Sequence, residues 1–386
     1  MNRDKYVFAQ MTEYLDYPKF RRLVRKCRGD SYVKRFTCWN QLLTPMFGQL
    51  SGRESLCDLV TVLKANQSKC YHLGLGDRHA SRNAVSLANQ TRDCRIFEEF
   101  ASFMMEEAGG ECAADVFGLA AISTRLIQRL FPCVSRSPPG QVPQAQGGVK
   151  AHVLYDLETH VPSFYRITTA SANDSKAMPT IPYETGSYYV LDRGCNAFAV
   201  LHRINRLESL FIVRAKQNLK SRRVRWRRRL PKDVLGDAEI VFTEEASFKK
   251  KTEKLRLVRF HDKEQGRDFA FLTNAFGLLA PKVAGLYMSV WQVEPFFKWL
   301  KQHLRIKKFW RTTENAVRFL VSVAIAAFCL VAIVRRKLGV RRSDYEMPQI
   351  LSVLLTDKTS VRELFERSEL SLPEAQATPF LPGFFD

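Results

Sequence analysis

Residues 319 to 334, Phe-Leu-Val-Ser-Val-Ala-Ile-Ala-Ala-Phe-Cys-Leu-Val-Ala-Ile-Val, form sixteen mostly apolar positions bounded by Arg318 and Arg335. A run with so little polarity has two destinations, a bilayer or the inside of a protein. A membrane-spanning helix needs about 20 apolar residues. Sixteen, with Ser322 and several alanines among them, points to a helix buried on all sides. The chain must then supply enough structure to wrap it. At 386 residues and 46% apolar composition it can, and it exceeds one ordinary domain.

Lys and Arg outnumber Asp and Glu by 60 to 39, a net charge of +21. Such a balance implies a polyanionic partner, nucleic acid or an anionic surface. The nine cysteines are scattered with no C-x2-C pair, which suits reduced thiols and not a zinc site or a disulfide framework. The opening Met1-Asn-Arg-Asp-Lys-Tyr6 is polar, so no signal peptide is expected and the location is cytoplasmic.

Residues 1–110 read as helical and basic. Asn40–Phe47 and Ser55–Leu63 carry apolar residues at helical spacing, broken by Gly52, and Ser81 can cap a helix through Ala84, Leu87 and Ala88 flanked by Arg82 and Arg92. Two short helices and a turn fit either a helix-turn-helix or a plain bundle. Gly109-Gly110 marks a boundary. The period then changes to short β-branched or aromatic runs at 116–120, 150–155, 163–168 and 187–192, separated by turn residues. Further strand-like runs follow at 210–213, 238–242, 255–260 and 269–273. From Arg214 to Lys232 there are ten Lys or Arg and no acid, with Trp226 inside Arg222, Arg223, Arg225, Arg227, Arg228 and Arg229. A charge run is by default a solvated face. Cations with an embedded ring also suit phosphate contacts with stacking. The tail after Arg335 is mixed helix, then Pro-rich.

Two carboxylates stand out. Asp192 ends a strand-like run, where it either caps a helix or faces the crevice that such sheets use for ligands. Glu294 shares a helical face with Tyr287, Trp291, Lys298 and Lys301, and either makes surface pairs with Lys298 or offers a metal ligand beside a polyanion.

The string Tyr287-x2-Val290-x3-Glu294-x6-Lys301 resembles the Tyr-x2-Arg-x3-Glu-x6-Lys signature of DDE-class insertion-sequence transposases of the insertion-sequence-four family. The likeness continues through Trp291-Gln-Val-Glu294, Phe296–Leu304, Asp192–Phe198 and Thr168–Met178. It implies an α/β fold: an RNase H-like mixed sheet with flanking helices, a mostly β insertion and an α-helical amino-terminal DNA-binding domain. The implied division is 1–110, 111–194, 195–285 (the insertion), 286–340 (the helices carrying the Glu) and a tail at 341–386. By the same resemblance Asp192 and Glu294 are catalytic metal ligands for Mg2+, with Mn2+ as a substitute. Tyr287, Lys298, Lys301 and the 222–229 run are then DNA contacts. The implied partner is double-stranded DNA, the terminal inverted repeats of an element, bound as a dimer and with no membrane.

Three positions depart from that pattern. The first catalytic Asp falls on Ala120, which cannot ligate a metal. Asp115 is an odd number of residues away and would point to the opposite face. Val290 stands where the family has Arg. Pro295 follows the Glu, costing about 3 kcal/mol if a helix runs through it, or nothing of the kind if the helix begins there. The expected function is a transposase cleaving and joining DNA whose activity is impaired at Ala120. The alternative is a DNA-binding protein derived from one.

Overall fold

In a computed structural model of the chain the apolar run occupies the middle of a 25-residue helix, Glu314–Leu338, and every residue from Phe319 to Val334 is buried. The structure describes residues 4–76, 80–110, 124–129, 149–169, 180–191, 198–216, 219–227, 229–243, 254–303, 313–340, 342 and 346–367. The Thr313 hydroxyl accepts the Ala316 amide at the start of this helix, and Gly339 closes it at φ 65°, a left-handed end that glycine takes without strain. Arg335, Arg336 and Lys337 fill the last turn, where cations meet the negative end of the helix dipole. The helix is long and apolar enough to cross a membrane, but 94% of its apolar window is buried in protein.

What buries it comes from both ends of the chain. The first described helices are α1 (Val7–Thr12), α2 (Tyr17–Lys26), α3 (Cys38–Leu50), α4 (Leu56–Ala65), α5 (Gln67–Cys70), α6 (Arg82–Thr91) and α7 (Arg95–Gly109). Capping fixes the starts of α2, α3, α4 and α6: Asp16, Thr37, Ser55 and Ser81 each accept an amide three residues on. The α7 helix lies along the long helix. Phe97 meets Phe319 edge-on at 4.5 Å, and Arg318 donates to both Glu98 oxygens at 2.7 and 3.1 Å. At the far end Arg336 donates to the Glu107 and Ala108 carbonyls. Asn315 ties the 89–94 turn to the helix start, donating to the Asn89 and Arg92 carbonyls and accepting the Cys94 amide. One buried cluster therefore joins Phe20, Phe47 and Phe100 to Tyr155, Phe296 and Ala324. The α3 helix, buried from Gln41 to Leu50, is core and offers no DNA-reading face. Arg92 turns inward to Gln41 and the Phe36 carbonyl, whereas α6 exposes Arg82, Asn83, Leu87 and Gln90.

The strands β1 (Thr124–Arg129), β2 (Val149–Asp156), β3 (Val161–Thr169) and β4 (Tyr188–Leu191) are followed by α8 (Phe198–Arg206) and β5 (Leu210–Arg214). Then come β6 (Ser221–Trp226), β7 (Val234–Phe242), β8 (Leu255–Asp262) and β9 (Arg267–Thr273). They form one nine-stranded sheet in the order β3-β2-β1-β4-β5-β9-β8-β7-β6. The first three are an antiparallel meander, and β1, β4 and β5 are parallel. That 3-2-1-4-5 arrangement is the RNase H-like mixed sheet. The run at 210–213, expected within the β insertion, is the fifth strand of this core instead. Its Phe211-Ile-Val213 core is buried throughout, as a parallel strand covered on both faces must be. The four strands after it continue the sheet as an antiparallel meander ending at the edge strand β6. The expected strand at 116–120 lies outside the described residues.

Candidate active site and nucleic-acid surface

After β9 the chain makes α9 (Ala280–Met288), a five-residue 3-10 turn (Ser289–Val293), and α10 (Glu294–His303), which precedes the long helix, α11, and then α12 (Glu346–Leu354) and α13 (Val361–Arg367). Glu294 is the first residue of α10, and its amide donates to the Trp291 carbonyl. That bond explains the 3-10 turn. Pro295 has no amide to give Trp291, so the residue before it closes the turn one position tighter. The proline then occupies the second helical position, where a missing amide costs least. The helix begins at Glu294, and the 3 kcal/mol expected of a proline inside a continuous helix does not arise. Glu294 still holds an αR backbone at φ −56° and ψ −41°, a region that a following proline disfavours.

One face of α10 is core. Phe296 sits 5.4 Å from Tyr155 on β2 and 4.9 Å from Phe328 on α11, and the Trp299 indole donates to the Ala324 carbonyl. The other face exposes Glu294, Lys298 and Lys301, so the predicted acid and lysines do share a solvent face. Tyr287 belongs to α9, half-buried with its ring 4.8 Å from Phe271, and Trp291 is 56% exposed on the intervening turn. Val290 packs partly buried against the main core.

The Val293 and Phe296 side chains belong to the same cluster as Tyr155 of β2 and Val190 of β4. Glu294 thus starts a helix seated over the central strands, and β4 ends at Leu191, one residue before Asp192. Asp192 and Ala120 both lie outside the described residues, as does Arg228. Opposite the end of β4, Leu191 pairs with Ile127 of β1, and the described part of β1 is Thr-Arg-Leu-Ile-Gln-Arg, without an acid. The shortage is wider than one position: no Asp or Glu occurs between Asp115 and Asp156. Asp156 itself is committed elsewhere, accepting the Glu158 and Thr159 amides in the β2–β3 turn. Among the described residues no three His, Cys, Asp or Glu are grouped to hold a metal.

The 222–229 run is resolved into unequal parts. Arg222, Arg223, Arg225 and Trp226 lie on the sheet-edge strand β6, exposed on both faces. Edge strands rich in cations resist pairing with other strands and stay solvated. Arg223 stacks over the Trp226 ring at 4.7 Å, and Trp226 is 54% exposed. Arg225 lies 4.0 Å from Glu239. Arg227 serves the fold: it donates to the Phe276 carbonyl at 2.7 Å and lies 3.8 Å from the Asp237 carboxylate. Arg229 is exposed.

Behind Arg227 is a buried ion pair that sequence patterning does not reveal. Arg256, 1% exposed, forks onto Asp237 at 2.8 and 2.7 Å and donates to the Ala275 and Leu278 carbonyls. It fixes the turn leading into α9, and so the approach to Glu294. The sequence reading also passes over a second basic stretch, residues 19–35, with eight Lys or Arg and one acid. Cations repeating at helical spacing opposite Phe20, Leu23 and Val24 were its signal.

Residues 136–330, half of the chain, match the family model described as "Transposase DDE domain", and residues 3–76 match a domain of unknown function, DUF4372. The chain is 30% identical over 232 residues to "Putative transposase y4zB" of Sinorhizobium fredii, covering 59% of this chain and 62% of that protein. It is 32% identical over 190 residues to "Probable transposase for insertion sequence element IS5377" of Geobacillus stearothermophilus, 48% of this chain and 49% of that one. A third relative, "Putative transposase for insertion sequence element IS4SA" of a Synechocystis strain, is 26% identical over 196 residues, 47% and 52% of the two chains. The matches span less than two thirds of these relatives' lengths. A solved piggyBac transposase complex with hairpin DNA aligns at TM-score 0.43 and 13% identity, over 97% of this chain and 84% of that one.

Proposed function

From the premise that the chain belongs to the DDE transposase domain family, we propose that it is an insertion-sequence transposase that binds DNA but is impaired in cutting it. The observation carrying this is the absence of any carboxylate between Asp115 and Asp156, the stretch containing the first central strand. DDE chemistry rests on a divalent metal held by acids on that strand, at the end of β4 and on the helix here called α10. Two-ion catalysis of phosphoryl transfer, with Mg2+ as the hard cation, needs a carboxylate bridging both ions. Asp192 and Glu294 supply two of the three acids, and no residue from 116 to 155, Ala120 included, supplies the third. This donor set does not fit a pair of ions, so no cleavage step is assigned to it.

Binding is the part of the activity whose apparatus is intact. The net charge of +21, the exposed arginines of β6 and Lys298 and Lys301 beside Glu294 give a surface suited to a polyanion. The partner is double-stranded DNA, with the element's terminal inverted repeats as the specific sites and a dimer as the bound form. The test runs two readouts on one sample: fluorescence anisotropy for duplex binding and a denaturing gel for strand breaks, with Mn2+ present. Salt-sensitive binding without nicking supports the proposal; absence of binding removes it. The alternative, a derived protein with a role other than transposition, is favoured if binding shows no preference for element ends.

A further inference from the structure

We propose that the exposed face of α2 and the turn after it form a second DNA-backbone surface, separate from β6 and from the Glu294 face. The proposal rests on the reading above only in taking duplex DNA as the polyanion.

The α2 helix is amphipathic in an unequal way. Phe20, Leu23 and Val24 are buried, with the Phe20 ring 5.0 Å from Phe100 and 5.3 Å from Trp39. The opposite side exposes Arg21, Arg22 and Arg25, and the turn beyond adds Arg28, Lys34 and Arg35. None of these six makes an ion pair with a described residue, whereas Lys26 on the same helix is held by Glu99 at 2.8 Å. Arg25 and Lys26 in the last turn already complement the helix dipole. Six exposed cations on the helix and the turn after it, without an ion pair among the described residues and with a single acid in the stretch, exceed that need.

The turn is also rigid. Asp30, that single acid, is engaged in accepting the Cys38 amide at 2.7 Å. Gly29 sits so close to the core that a Cβ there would lie 2.5 Å from Ile96 and 2.8 Å from Cys38, so the close approach requires glycine. Arg28 and Tyr32 adopt left-handed backbones at φ 52° and 60°, and Tyr32 is fully exposed. A fixed turn presents its charges with little ordering cost on binding.

A membrane surface is the competing polyanion. A helix lying in a bilayer interface inserts its apolar face, and the apolar face of α2 is already spent on α3 and α7. What remains outward is charge and a tyrosine, the pattern that phosphates on a duplex would meet.

The experiment uses the full chain and a short random-sequence duplex, with affinity measured across a salt series. Each phosphate contact contributes roughly 0.9 to the slope of log affinity against log salt. Replacing Arg21, Arg22 and Arg25 together with Ala should flatten that slope by roughly 2.7. Between 50 and 200 mM salt the wild type should lose about forty-fold more affinity than the variant. The Lys triple variant should keep the wild-type slope, because backbone contacts read charge, and Arg28→Ala, Lys34→Ala, Arg35→Ala should reproduce the Ala effect from the turn. An unchanged slope in both Ala triples, while Arg222→Ala with Arg223→Ala flattens it, overturns this surface and leaves DNA binding intact. A wild type with no salt-dependent duplex binding at all overturns both. Flotation with phosphatidylserine vesicles that depends on Arg21, Arg22 and Arg25 when duplex binding does not assigns the face to membranes and also overturns it.

Discussion

Replacing Arg256 with Ala should be among the most damaging single changes in the sheet, and its cost can be worked from its contacts. The guanidinium is held by both Asp237 oxygens and two backbone carbonyls, and Asp237 is 5% exposed on its side chain. Alanine would strand a buried carboxylate and two acceptors. Removing one partner of a buried ion pair costs about 3–5 kcal/mol. Arg227 moderates this, since its guanidinium already lies 3.8 Å from Asp237 and can swing toward it. A loss near the lower end, about 3 kcal/mol, follows, or about a hundredfold in local opening equilibria. Hydrogen exchange of the β7 and β8 amides reads that local stability directly. The double replacement Arg256→Met with Asp237→Leu should recover most of the loss, because a buried pair exchanged for packed apolar groups is often neutral. Exchange in Arg256→Ala within about threefold of wild type, under 1 kcal/mol, would refute the reasoning. So would a double variant as damaged as the two single changes added together.

Other expectations follow from the same structure. Pro295→Leu should leave stability and DNA binding within about 0.5 kcal/mol of wild type, as measured by denaturant melts, because α10 starts at Glu294 and the 3-10 turn does not need an amide from residue 295. A loss of about 3 kcal/mol would contradict this, since the junction would then depend on the proline for its stability. Burial pushes the Cys94 thiol up to about 11 and Cys38 up to about 12, above the ordinary value of 9.0. Unfolding frees those thiols to ionise first, so their contribution to stability is complete below pH 9 and declines as pH rises through 9 toward 11 or 12. Melts at pH 8 and pH 10 should show that decline, and it should be smaller in Cys94→Ala. Native alkylation near pH 8 should label exposed Cys57 well before buried Cys38, Cys70, Cys94 and Cys329.

Much of the architecture was legible because it rests on local patterns. The sixteen-residue apolar run had to be enclosed, and it is, by α7 and the sheet. Runs of β-branched and aromatic residues at 150–155, 163–168 and 255–260 became β2, β3 and β8. Ser81 caps the helix its position promised. What was hidden depends on long-range partners. Leu210–Val213 looks the same as an insertion strand or a core strand until its neighbours are known. Arg227 reads as one more surface cation, and only the Phe276 carbonyl and Asp237 turn it into a strut. Arg256 lies in an ordinary alternating strand, and nothing near it in sequence announces a partner at 237. The single helical face drawn through 287–301 held only from Glu294 onward, because Pro295 forces the 3-10 turn that divides α9 from α10.

The proposal that this chain binds DNA without cutting it, because no residue from 116 to 155 is an acid, is tested most directly by restoring one at position 120, where the family resemblance places it. Wild type and Ala120→Asp should be assayed side by side for metal-dependent nicking of duplexes carrying the element ends, with Ala120→Asp combined with Asp192→Ala as the control. The account predicts no nicking by the wild type, nicking by Ala120→Asp with Mg2+ or Mn2+, and its loss in the control. Robust nicking by the unaltered chain that disappears on Asp192→Ala would contradict it, since an acid from elsewhere would then be completing the site.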